Sequence, residues 1–125
     1  MTVARSLVTS VAGMACAAAV FASAPAQAAP FDGNWSVLIV TQRGPCDTAY
    51  RYGVSIQNGV VFYEGSAPVN VNGRVAPNGA VAVRLWAGSQ SASGYGRLYR
   101  GAGRGTWSGI GSSGTCSGYW TAEQR

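Results

Sequence analysis

Tyr50-Arg-Tyr-Gly-Val-Ser-Ile-Gln-Asn-Gly-Val-Val-Phe-Tyr63 is the stretch that decides the fold class. Tyr50, Tyr52, Val54 and Ile56 alternate with Arg51, Gly53 and Ser55, the period-two pattern of a strand with one buried and one wet face. Asn58-Gly59 then supplies the residue pair preferred in a tight hairpin, where both central positions take positive φ. A second strand, Val60–Glu64, follows at once.

Working outward, the same grammar covers Trp35 to Glu123, and no helical period appears there. Strands are expected at Trp35–Gln42, Thr48–Ile56, Val60–Glu64, Val69–Val75, Ala80–Ala87, Ala92–Tyr99, Gly105–Ile110 and Cys116–Glu123. Ala76-Pro77-Asn78-Gly79 is a turn in which Pro presets φ. Gly101–Arg104 and Gly111–Thr115 read as longer polar turns. Every connection is too short for a parallel crossover, so neighbours must be antiparallel. The expectation is an all-β, eight-stranded, antiparallel up-and-down meander, either a small barrel or a flattened sandwich. Strand one, with Val37-Leu38-Ile39-Val40, is apolar on both faces.

The N-terminus reads differently. Arg5, an apolar run from Leu7 to Phe21, and Ala26-Gln27-Ala28 have the order of a secretory signal peptide cleaved after Ala28. That divides the chain into a leader, 1–28, and one domain, 29–125, with a periplasmic or secreted location. Cys16 lies inside the apolar run without the residue pattern of a lipidation site. Cys46 and Cys116 are then the remaining cysteines, and an oxidising compartment favours their pairing. Cys46 follows strand one and Cys116 opens strand eight, so a bond between them suits the seam of a closed meander.

Composition narrows the chemistry. The basic residues number 9, all arginine, against 4 acids and no histidine. Without His or Lys, His-based nucleophile activation, His metal ligands and Schiff-base chemistry are excluded. No cofactor and no metal site are expected. Asp47 and Glu64, near one barrel end, are the remaining material for a carboxylate-based hydrolase. The formal net charge is +5, and loss of Arg5 with the leader lowers it by one. A surplus of this sign keeps a protein soluble and also suits anionic envelope polymers or lipid head groups. Membrane-spanning strands would be longer, with apolar side chains outward.

Gly-x-Trp occurs three times, at Gly33-Asn34-Trp35, Gly105-Thr106-Trp107 and Gly118-Tyr119-Trp120. At period two the Gly and the Trp share a face, and a Gly leaves a flat patch on which an indole from the next strand can lie. All three indoles are expected at one end, opposite the disulfide, as a structural plug in preference to an aromatic ligand cage. A Gly-x-Trp opening the first strand of such a meander resembles lipocalin and avidin-type calycin barrels, and Gly105-Thr-Trp-Ser-Gly109 is similar to a late avidin-type strand. That resemblance implies a barrel. Strand one lacks the polar ligand contacts of an avidin, so no biotin-binding residue carries over. With Arg43-Gly-Pro-Cys-Asp47 and Gly114-Thr-Cys-Ser-Gly118, residues 29–125 as a whole look like a group of small secreted proteobacterial proteins. That likeness implies no activity.

The functional expectation is a non-catalytic exported binding protein for an envelope component, a small molecule or a protein partner, with no nucleic acid and no membrane span. The alternative is a structural envelope or matrix protein without a discrete ligand. Two surfaces compete. Arg84, Trp86, Tyr95, Arg97 and Tyr99 should point outward from strands five and six, and Arg and aromatic residues are enriched in binding hot spots. The loops at the disulfide end hold Arg43, Asp47, Gln90, Ser91, Ser112 and Ser113, polar groups of the kind a pocket mouth uses. Three inward tryptophans leave little expected interior, which favours the outer patch.

Overall fold

A computed structural model describes residues 29–125; the expected leader and Cys16 lie outside the described residues. Eight strands follow in order: β1 (Gly33–Arg43), β2 (Ala49–Gln57), β3 (Val60–Tyr63), β4 (Asn70–Val75), β5 (Ala80–Ala87), β6 (Gln90–Tyr99), β7 (Ala102–Gly111) and β8 (Gly114–Gln124). Each pairs antiparallel with its neighbours in sequence. β1 also pairs antiparallel with β8, so the meander closes into a barrel and is not a flattened sandwich. The seam carries a register shift between Thr41 and Arg43.

The β2–β3 hairpin turns on Asn58 and Gly59, with φ of 52° and 75°. Asp32, arriving from the N-terminus, accepts hydrogen bonds from both turn N–H groups, Asn58 at 2.7 Å and Gly59 at 3.1 Å. It thereby fastens the segment before β1 under the end of β2–β3. Phe31 packs against the core there, and its carbonyl accepts the Trp35 indole N–H at 2.9 Å. At the other end Cys46, in the β1–β2 loop, is bonded to Cys116 of β8, with Cα atoms 6.1 Å apart.

The expected turns at Gly101–Arg104 and Gly111–Thr115 are largely strand. β7 begins at Ala102 and β8 at Gly114, and the connections shrink to Arg100-Gly101 and Ser112-Ser113. Gly101 takes a φ of 75°, which lets so short a loop close. Local propensity assigns a glycine-rich segment to turn, but in β7 the inward Gly103 and Gly105 face Leu98 and Trp120 across the ladder. Tertiary packing overrides propensity here.

The buried core comprises Trp35, Ile56, Val61, Val75, Leu98, Trp120 and Ala122. Most of these sit near the strand ends opposite the disulfide, where Phe31 also lies. The three tryptophans are not gathered at that end. Trp35 is near the start of β1. Trp120 lies between Ile39 and Gly105, and Trp107 between Gly94 and Gly118. The Trp107 indole N–H donates to the Val40 carbonyl at 2.9 Å. Gly109, two residues further on, is opposite Cys116. The indoles therefore climb the inner wall from the closed end toward the disulfide, because β7 starts three residues earlier than the sequence pattern suggested.

A candidate ligand lumen and a basic outer face

The barrel interior is open. A cavity of about 290 Å³ runs from Trp35 and Ile56 at the closed end to Cys46, Gln90, Ser91 and Gly111 at the disulfide end. The sequence-based expectation of a filled interior fails for a geometric reason. Trp107 and Trp120 lie along the wall, and inward positions beside them are glycines. Gly105 faces Trp120, and Gly94 and Gly118 flank Trp107. The side chains that a filled barrel needs at these positions are missing.

Valines and leucine from β4 and β5 form the opposite wall with Val71, Val81, Val83 and Leu85. A third wall is tyrosine. Tyr50 and Tyr52 stack with ring centroids 6.0 Å apart and planes at 20°, and Tyr63 meets Tyr52 edge-on at 6.0 Å. Burial, reinforced by the neighbouring Tyr50 and Tyr63, raises the Tyr52 phenol above its ordinary 10.0. The ring is therefore neutral at physiological pH and able to donate a hydrogen bond. None of the three hydroxyls bonds a partner among the described residues. No charged side chain lines the cavity.

The wall has one weak join. β3 and β4 share a single ladder pair, Val60 with Arg74, whereas β5, β6, β7 and β8 are laddered along most of their lengths. A cleft lies between β3 and β4 above that pair, with exposed Phe62 on its outer side.

The polar residues expected at a pocket mouth separate into two groups. Gln90 and Ser91, the first residues of β6, line the cavity. Arg43, the last residue of β1, and Asp47, Ser112 and Ser113 in the loops of the same end are exposed and do not line it. The backbone carbonyl of Asp47 accepts the Thr41 hydroxyl at 2.7 Å. Asp47 and Glu64 do not share a cleft. Glu64 is ion-paired with Arg125, whose guanidinium also bonds the Trp35 carbonyl. Trp35 is six residues from Thr41 along β1, on the order of 20 Å.

The outer patch is placed as expected. Arg84, Trp86, Tyr95, Arg97 and Tyr99 are all exposed on the outside of β5 and β6, Tyr95 at 61 %. Trp86 also reaches the rim of the lumen. Two more arginines belong to the same face: Arg74, opposite Ala82 and on the polar side of its strand as the alternation with Val71 and Val75 implies, and Arg104, opposite Arg97. Arg104 was assigned to a turn; the alternation Arg104-Gly-Thr-Trp107, carried back from an inward Trp, places it outward on a strand.

The class these features define is a closed antiparallel eight-stranded barrel with an apolar lumen beneath a disulfide-braced rim. No protein-family model matches the chain, and no curated protein and no solved structure matches it.

Proposed function

We propose that this is an exported, non-catalytic binding protein whose barrel holds a small neutral apolar molecule. The observation that carries the reading is the open, uncharged lumen of about 290 Å³. That volume is at the small end of ligand pockets, roughly 300–1,000 Å³. A charged ligand group placed inside meets no counter-charge and bears an uncompensated desolvation penalty. A flat or ring-shaped apolar ligand finds indole faces on one side and tyrosine rings on the other. Its polar atoms find the free hydroxyls of the tyrosine wall or Gln90 and Ser91 at the rim.

Export rests on the Ala26-Gln27-Ala28 reading and is supported by the Cys46–Cys116 bond, since such bonds persist in oxidising compartments. The test is organic extraction of protein purified from its native source, followed by mass spectrometry. A neutral small molecule recovered in near-stoichiometric amount, and released when the barrel unfolds, supports the reading. Protein recovered free of any such molecule, and unable to take one up from a native lipid extract, overturns it.

A further inference from the structure

The outside of the barrel carries a second feature that the lumen does not explain. Arg97 of β6 and Arg104 of β7 are directly opposed across their ladder, both outward and exposed. Opposed side chains on one sheet face are about 4.5–5.5 Å apart at Cβ, and like charges there repel. Among the described residues neither arginine has an ion-pair partner; the ion pair there joins Arg125 to Glu64, elsewhere on the barrel. Glu123, opposite Ala102, is the nearest acid on this side and pairs with neither.

Arg74, Arg84 and Arg100 extend the same field, all exposed, on β4, β5 and the β6–β7 turn. The register places Tyr95 between them, opposite Ala82 and Thr106, with Tyr99 one step below Arg97 on the same face. Small side chains, Ala82, Ser93 and Thr106, occupy positions between the arginines.

From these observations we infer that the outer face of β4–β7 binds an anionic polysaccharide. Four considerations select that occupant. The field is of one sign, so its partner is anionic. It extends from Arg84 to the level of Arg97, four residues or about 13 Å, and across three strand spacings, about 14 Å. That span exceeds one carboxylate or sulfate group and suits a chain that repeats them. Exposed tyrosines offer flat faces to sugar rings, while Arg forks bind carboxylate or sulfate in two-point fashion. The disulfide, finally, points to an extracytoplasmic setting, where polysaccharide is the abundant polyanion and nucleic acid is not. A bound anion turns the Arg97–Arg104 repulsion of the free protein into two attractions.

The experiment is calorimetric titration of the oxidised protein with polygalacturonate, with uncharged dextran and a single-stranded oligonucleotide as comparisons. The expected result is binding of polygalacturonate but not dextran, weakening steeply between ~50 and ~200 mM salt. Arg97→Gln/Arg104→Gln should lower that affinity at least about tenfold, yet raise the melting temperature, because the like-charge pair is gone. Tyr95→Ala should lower affinity without flattening the salt dependence. If the double variant folds poorly, Arg97→Gln and Arg104→Gln singly should each weaken binding. Unchanged affinity in the arginine variants, equal binding of dextran, or tighter binding of the oligonucleotide than of polygalacturonate overturns the inference.

Discussion

Gly105 of β7 stands directly opposite Trp120 of β8, and the β-carbon that Gly105 lacks would lie 2.5 Å from the indole Cε2. Trp107 and Gly118 repeat the arrangement two residues along the same ladder, in the opposite sense. The two Gly-x-Trp motifs of β7 and β8 therefore pair glycine with tryptophan in both directions: the Trp120 indole lies against Gly105, while a β-carbon at Gly118 would meet the Val40 and Gln42 backbone of β1. This lets two tryptophans line a small barrel without filling it.

Gly105→Ala should consequently be destabilising. The new methyl also meets the Tyr95 carbonyl, at 2.0 Å before relaxation, so the backbone must shift as well as the indole. The expected loss is about 1–3 kcal/mol, read from urea unfolding. Thr106→Ala, on the exposed outer face of the same strand, should change stability by less than about 0.5 kcal/mol. Equal effects from the two variants would show that Gly105 is not needed for the indole's seat.

The tryptophans should differ in kind. Trp35 is 1 % exposed at the closed end, and Trp35→Ala should cost about 3–5 kcal/mol. Trp107 is half-buried against open space, so Trp107→Ala should cost less stability and more ligand affinity. A Trp107→Ala variant as unstable as Trp35→Ala, with its ligand still bound normally, contradicts the assignment of Trp107 to the lumen wall.

The β1–β8 seam is braced by Cys46–Cys116, which encloses a sequence separation of 70 residues. By chain-entropy reasoning a loop of that size stabilises the fold by about 4 kcal/mol. Cys46→Ala/Cys116→Ala should therefore unfold at markedly lower urea concentration than the oxidised protein. A midpoint unchanged by the double substitution would mean that the seam's ladder alone holds the barrel shut.

Acid should act through Asp32. Burial pushes its carboxyl up, but the N–H groups of Asn58, Gly59 and Ala29 outweigh this and hold it below the ordinary 3.8. A carboxyl lowered in the folded state contributes its full stability above the unfolded value. It loses that contribution as pH falls through the folded one. Stability should thus decline below pH ~4, and Asp32→Asn should be less stable at neutral pH with a flatter acid limb. Urea midpoints measured from pH 6 down to pH 2 check this; parallel curves for the two proteins would remove Asp32 from the account.

The strand count, antiparallel order, face assignment and disulfide seam were legible in sequence, because alternation such as Tyr50 to Ile56 and a turn such as Asn58-Gly59 act locally. The choice between barrel and sandwich was not, since closure is a property of β1 meeting β8 through space. The ends of β7 and β8 were misjudged where glycine propensity and ladder packing disagree, as at Gly103 and Gly105. That error hid Arg104 from the outer face and displaced Trp107 from mid-wall to the end. The lumen followed the same logic. Tyr50 and Tyr52 were assigned to the inner face, but whether an interior is empty depends on how indoles lie, and Gly105 opposite Trp120 is a fact of register.

An open, ligand-holding barrel is tested most directly by titrating oxidised wild type and Leu85→Trp with N-phenyl-1-naphthylamine, a small neutral fluorophore. Leu85 points into the lumen between Val71 and Ala92 near the mouth. A larger ring there occupies the space a ligand needs; Ala92→Phe serves the same purpose if Leu85→Trp folds poorly. Wild type should show saturable one-to-one binding with quenching of tryptophan emission, and the filled variant should lose it with the fold intact. Absence of binding to wild type, or equal binding to both proteins, would contradict an open, ligand-holding barrel.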